Sequence, residues 1–517
     1  MDEDFKRTIA IIGGGICGVA SAKAALEHGL IPTVFEKREE IGGVWSKSGY
    51  TWNTLIGNSS RYMGQFSDLE FSPDTSLFAK RTEVISYMQN YIDKFGLAKY
   101  IKTSSEVKKI AYVDEGVKMW RTWKVEWLDG VSKEVQCQDF DYLIISTGFY
   151  NEPNLDAFLD FIKDPTNDEI TFLHSMDYKE NSLFKDKNVL LVGCSYSSTQ
   201  IAAEIALSSK SIVNVFRRPS WILPRVVYNT YYKKDLPIDF SFFTLQSSLK
   251  ATEFAHLTPQ EKFMKQNQFF SKFSNQNSVS QELYIDENSE DAPLLSVSDD
   301  YLEAVERKRV TPLRGAITNI KDNIVTLNNG TILKPDIIIF STGFKHVLPN
   351  MDEEVLKSLH YDQNNQLCPL NLYNSTFHPV YKNLAFVGVY KGLFLGTAEI
   401  QSKYALNYLM GKNTVPLPQI NEHLKKDLEL RNCKVQPQYA NGGYVNFLNT
   451  MAREMNLMPD VEKIKSMEPE IYEIMMNSVA FPPIYLLNNN DETKRKEVRI
   501  TLMKMKQDLN LYHIHEI

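Results

Sequence analysis

Two clusters of small residues stand where a chain could cradle a phosphate. The first is Gly13-x-Gly15-x-x-Gly18, set between the apolar run Thr8-Ile-Ala-Ile-Ile and the helix-forming stretch SAKAALEHG. In such a turn the first glycine bends the chain, the second lets backbone approach a pyrophosphate, and the third lets helix pack on strand. The helix start then offers N–H groups and a positive dipole end to an anion. Eighteen residues beyond Gly18, the strand PTVFEK ends in Glu36. A carboxylate there accepts from ribose hydroxyls and repels a 2′-phosphate. Glu40-Ile-Gly42-Gly43-Val44-Trp45 follows, with two glycines that permit a close backbone pass and one large planar face. Alone, that segment is equally a Gly-Gly turn beside a core tryptophan. Behind Glu36 it favours FAD.

The second cluster is Gly193-Cys194-Ser195-Tyr196-Ser197-Ser198, after Val189-Leu-Leu-Val and before TQIAAEIAL. Serines replace two glycines; they are small enough for close approach and bring hydroxyl donors to a phosphate. The next strand, SIVNVFRRPSW, ends in Arg217-Arg218 where the first turn has its acid. Guanidinium groups at that point suit a 2′-phosphate and favour NADPH over NADH. The bland reading is a solvated basic pair at a strand end.

Both turns need strands and helices to hold them, and the chain repeats the unit. Asp141-YLIISTGF, ending at Phe149, is echoed by Asp336-IIIFSTGF, ending at Phe344. Each is an acid, a buried parallel strand and a Ser-Thr-Gly exit, where ligands gather in a doubly wound sheet. The expected fold is α/β, with two Rossmann-like dinucleotide-binding domains, the second inserted in the first, and a helical C-terminal extension. Its domains are 1–185 with 336–450 for FAD, 186–335 for NADPH, and 451–517 for the extension. LAFVGVYKGLFLGTAEIQSKYALNYLMG would return to complete the first domain, and 226–300 would be an insertion in the second.

Composition narrows the class. The 517 residues are 43% hydrophobic and 23% charged, with a net charge of −7, which argues against nucleic acid as partner. Five cysteines, an odd number without CxxC or metal-ligand spacing, fit a reducing compartment such as the cytoplasm. No apolar signal region precedes Thr8 and no run of ~18 apolar residues occurs, so a soluble protein without a transmembrane segment is expected. Peripheral membrane association is the alternative location.

With these motifs the chain resembles the flavin-containing monooxygenase family from about residue 8 to 412. The first turn with EKREEIGGVW, Asn58-Ser-Ser-Arg-Tyr-Met-Gly-Gln-Phe-Ser-Asp68, His174-Ser-Met-Asp-Tyr178, the paired STGF exits and GTAEIQ (396–401) carry the likeness. The SYSS turn is closer to the soluble bacterial trimethylamine-oxidising members. The resemblance implies that NADPH reduces FAD, that a flavin hydroperoxide forms with O2, and that a small amine or sulfide takes the oxygen. It makes Asn58 the active-site asparagine, although an asparagine in a loop is otherwise a turn former. Beside Gly13, Gly15, Gly18, Glu36, Gly43 and Trp45, it adds Lys37, Val44, Ser59, Met63, Val107, Thr147, Gly148 and Gln401 as flavin-side residues. Tyr196, Ser197, Ser198, Arg217, Arg218, Thr342 and Gly343 form the NADPH side, and Tyr62, the 226–300 insertion and the segment near Phe394 would line the substrate pocket.

His174 and Tyr178 match the end of the family's FxGxxxHxxxY motif, but Asp168 and Ile170 replace its Phe and Gly. Baeyer–Villiger relatives carry Trp at the Tyr178 position, which tilts the reading toward heteroatom oxygenation. His174 reads as a structural, hydrogen-bonded linker residue. Family members are often dimers, which leaves a homodimer open. Ketone oxygenation stays open as an alternative, as does a catalytically impaired regulatory flavoprotein. A disulfide reductase would need a cysteine pair that GGVWSKSG lacks.

Overall fold

The computed structural model describes residues 7–113, 121–254, 256–392, 395–412, 415–433, 436–440 and 443–511. Two five-stranded parallel sheets form its frame. The first runs Leu384–Phe386, Tyr142–Ile145, Thr8–Ile12, Ile31–Phe35, Ile101–Lys102. The second runs Val310–Arg314, Ser211–Phe216, Asn188–Val192, Ile337–Phe340, Thr171–His174. Their central strands are apolar on both faces because both faces are covered. In the first sheet Ile9 and Ile11 pack on helix Ile16–Glu27, while Ala10 and Ile12 pack under Trp123, Val125 and Phe140. In the second, Val189 and Leu191 meet helix Tyr196–Ile205, while Leu190 meets Ile320, Val325 and Leu327.

The covering layer on that second face is a three-stranded antiparallel meander in each domain. One comprises Ser105–Val113, Thr122–Asp129 and Val135–Phe140; the other comprises Ile317–Lys321, Ile324–Leu327 and Ile332–Leu333. The internal repeat therefore reaches beyond the turns and exits to whole layers.

The expected boundaries at 186 and 335 each cut one strand too far in. Thr171–His174 and Ile337–Phe340 both pair within the second sheet. The exit strand hydrogen-bonds beside its own start strand, as Tyr142–Ile145 does in the first sheet, so it stays with that sheet. The chain regains the first sheet at Leu384–Phe386, and helix Thr397–Leu409 then lies on Ile16–Glu27, with Ser402 and Ser21 hydroxyls 3.1 Å apart. Beyond the exits, Glu152–Pro153 and Phe344–Lys345 pair antiparallel and tie the two domains together.

Past residue 450 the chain is helical, over Val461–Met467, Pro469–Asn477 and Glu492–Leu511. Met475, Leu502 and Leu509 are buried with the first domain's helices, so this region shares that core. The insertion contains a hairpin (Val226–Asn229 with Lys234–Pro237) and helices Asp239–Phe242, Leu245–Glu253 and Pro259–Phe270. Its Leu236, Phe240 and Leu245 also join the first domain's core. Among the described residues no helix is long and apolar enough to cross a membrane.

Candidate functional site

The first turn opens a cavity of about 640 Å3 at the carboxyl end of its sheet. Gly13 adopts φ +114°, and a Cβ there would lie 2.4 Å from the Ser146 carbonyl oxygen of the exit segment. A Cβ on Gly18 would lie 1.8 Å from the Gly13 carbonyl, so Gly18 serves helix–strand packing and does not line the cavity. Gly15 and Gly43 face each other closely: a Cβ on Gly43 would come 3.1 Å from the Gly15 Cα. The helix start at Gly15 carries no side-chain cap, which leaves its first-turn N–H groups for a ligand.

Glu36 lines one end of the cavity. Its carboxylate accepts from Gly14 N–H at 2.7 Å and Arg38 N–H at 2.9 Å, and lone pairs remain for a ribose. Lys37, Val44, Trp45, Ser59, Val107, Thr147 and Gly148 line it too. The buried hydroxyls of Ser146 and Thr147 make no hydrogen bond within the protein. Glycine cradle, uncapped helix start, carboxylate and idle hydroxyls lie along one elongated space, an arrangement that fits FAD.

Asn58 stands in the cavity wall. Gln200 Nε2, on the second domain's helix, donates to Asn58 Oδ1 at 2.6 Å and to the Val297 carbonyl at 2.8 Å. Around them the wall is formed by Tyr196 of the second turn, Phe242 and Phe243 of the insertion, and Tyr390. Asp239, also of the insertion, lines the cavity while fully buried. Its Oδ2 accepts from Ser60 N–H at 2.9 Å and from Ser60 Oγ at 2.6 Å, and burial pushes its pKa up to about 6. Cys17 lines the cavity as a free thiol whose pKa burial pushes up to about 12.

The second turn repeats the backbone and departs at its edge. Gly193 has φ +122°, with a Cβ position 2.7 Å from the Ser341 carbonyl, matching Gly13 and Ser146. Ser198, expected to face a phosphate, is buried and uses its hydroxyl inside the turn, accepting from Ser195 N–H at 2.7 Å and donating to the Ser195 carbonyl at 2.9 Å. Ser197 is half-buried beside it. Arg217 and Arg218 are exposed, and Arg218 donates to the Ala292 carbonyl at 2.8 Å.

Several expected residues stand back from the cavity. Met63 is core, and Tyr62 donates to Asp508 of the last helix at 2.8 Å. Thr342 donates to the Asn154 carbonyl at 2.6 Å, while the Gly343 carbonyl lies 3.0 Å from His174 Nε2, both beside the interdomain ribbon. Gln401 accepts from Gly388 N–H at 2.8 Å and so acts behind a cavity-lining glycine. Phe394 lies outside the described residues. Both ring nitrogens of His174 are engaged, and burial lowers its pKa. Gln200 and Asp239 were missed by sequence reasoning. Neither left a signal: Gln200 follows Ser197-Ser198-Thr199 as one more polar residue of a helix start, and Asp239 lies in the insertion.

A sequence model of the flavin-binding monooxygenase-like family matches residues 6–487. Rat flavin-containing monooxygenase 1 is 28% identical over 491 residues, spanning 90% of this chain and 86% of its own. Among solved structures, S-allyl-L-cysteine S-oxygenase from Allium sativum superposes with a TM-score of 0.61 at 18% identity, covering 97% of this chain and 99% of its own. Cyclohexanone monooxygenase from Rhodococcus sp. Phi1, bound to NADP+, gives 0.59 at 14% identity, covering 87% and 98%. With a glycine turn and a buried carboxylate lining one cavity and a family match over nearly the whole chain, the protein belongs to the flavin-binding monooxygenase-like family and is an FAD-binding, NADPH-dependent monooxygenase.

Proposed function

We propose that the protein oxygenates the nitrogen or sulfur of small amines and sulfides: NADPH, a proton, O2 and substrate give NADP+, water and an N-oxide or S-oxide. FAD, when bound, would supply the redox chemistry that links NADPH oxidation to transfer of one oxygen atom of O2. The chain's task is to hold the two cofactors, place the substrate and exclude water. Gly13, Gly15 and the helix start at Ile16 hold the FAD pyrophosphate, and Glu36 holds its ribose. Arg217 holds the 2′-phosphate of NADPH.

The observation that carries this reading is the position of Asn58 in the wall where the flavin cavity meets Tyr196 of the second turn. An amide there donates a hydrogen bond without offering a labile proton, which suits oxygen transfer to a neutral lone pair. Tyr178, a tyrosine where Baeyer–Villiger relatives carry Trp, supports heteroatom over ketone oxygenation. Five free cysteines support a cytoplasmic location.

Product analysis under 18O2 tests the reading with trimethylamine, a dialkyl sulfide and cyclohexanone as substrates. The expected result is one 18O per NADPH in the N-oxide or S-oxide. A labelled lactone with inert amine and sulfide would move the assignment to ketone oxygenation.

A further inference from the structure

The amide of Asn58 can present either its oxygen or its NH2 to the cavity, and the two are opposite in chemistry. The arrangement behind it decides which. The Val297 carbonyl can only accept, so the side-chain atom of Gln200 that meets it at 2.8 Å is the nitrogen. That NH2 has a second proton, and it points at Asn58 across 2.6 Å, so Asn58 must turn its oxygen toward Gln200. The NH2 of Asn58 is left for the cavity that Asn58 lines. Gln200 is buried, does not itself line the cavity, and sits four residues into the helix that begins at Tyr196. Thr199, beside it, is anchored to the Ser296 hydroxyl at 2.6 Å, so this helical turn and the strand Leu295–Val297 form one stiff support.

We propose that Gln200 is a positioning residue for oxygen transfer, which orients the Asn58 amide as a donor and does so from the helix of the second nucleotide turn. This rests on the role given to Asn58 above. It also gives the second domain a duty beyond holding its nucleotide: it sets the polarity of one wall of the flavin cavity. Loop 49–58 is fastened to the second domain elsewhere, by Asn53 N–H to the Lys179 carbonyl at 3.0 Å and Thr54 to Glu204 at 2.5 Å. Removing the Gln200 contact therefore leaves the loop in place while freeing the amide.

Gln200→Glu makes the sharpest test, because a carboxylate only accepts and would draw the Asn58 NH2 toward itself. Gln200→Met removes the donor at similar volume. With FAD content and the anaerobic rate of flavin reduction by NADPH held as controls, both variants should keep these at wild-type values. Oxygenated product per NADPH should fall about 10-fold in Gln200→Met and about 100-fold in Gln200→Glu, as for loss of one preorganised donor. The double variant Asn58→Ala/Gln200→Glu should be no worse than Asn58→Ala alone, since both changes remove one function. A crystal structure of Gln200→Glu should show Asn58 Nδ2, not Oδ1, within hydrogen-bond reach of the side chain at position 200. An unflipped amide, multiplying losses in the double variant, or a parallel fall in FAD content and reduction rate would each overturn the proposal. A steep loss in Asn58→Ala beside unchanged coupling in both Gln200 variants would overturn it alone. Full activity in Asn58→Ala would overturn the Asn58 reading and this one together.

Discussion

At the first turn the chain passes Gly13 with φ +114° and starts its helix at an uncapped Gly15; at the second it passes Gly193 with φ +122° and starts its helix at Ser195, whose N–H is already taken by Ser198. The backbone path is the same, and each glycine lies against the serine carbonyl of its own exit. What differs is the edge. The first turn leaves N–H groups open inside a cavity and ends its second strand in a buried carboxylate. The second closes part of its helix start and ends its second strand in two exposed guanidiniums. A tightly enclosed cofactor suits the first, and one that binds and leaves suits the second.

The largest effect should come from breaking the shared backbone on one side only. Gly13→Ala forces a side chain into a left-handed φ and against the Ser146 carbonyl. Flavin absorbance per protein should drop to near zero, whereas Gly193→Ala should retain the flavin and lose NADPH oxidation. Equal flavin loss in both would erase the distinction.

Asp239 clasps the two regions, since it belongs to the second domain's insertion and holds Ser60 of the first. Its carboxyl titrates near 3.8 unfolded and at about 6 when buried. The neutral acid is thus favoured in the fold: its stabilisation is complete below pH 3.8 and is lost as pH rises through 6, by ~3 kcal/mol. Asp239→Asn should lack this loss, so melting profiles should move in the variant's favour from pH 4 to 6 and stay parallel above 7. A pH-independent difference would contradict the assignment.

Arg217→Ala should raise the KM for NADPH about 10-fold, leave that for NADH unchanged and keep the flavin. Equal changes for both nucleotides would show that Arg217 does not meet the 2′-phosphate. The smallest effect concerns Ser198. As a cap, its replacement by Ala should cost about 1 kcal/mol in thermal stability with little change in the KM for NADPH. The reverse pattern would make it a phosphate donor after all.

Local patterns carried most of the fold. The starts, exits and strand-end charges each lie within one strand–turn–helix–strand stretch of the chain, so spacing alone exposes them. Contacts between distant parts of the chain were not legible. Gln200 meets Asn58 across 142 positions, and Tyr62 meets Asp508 across 446. No periodicity announces either. The strand Ile337–Phe340 was recognised as a strand, but the boundary at 335 left it outside the second domain, because its sequence states its burial and not its neighbour. Asp239 sits in an insertion without a repeating pattern, where an acid before Phe reads as a solvated helix start.

Two look-alike turns divide the labour of holding the cofactors, and a crystal structure with FAD and NADP+ bound would show that division. The FAD pyrophosphate should lie at the Gly15 helix start, the flavin ring beside the Asn58 NH2, and the NADP+ 2′-phosphate against Arg217. A 2′-phosphate away from Arg217, or a flavin ring away from Asn58, would contradict it.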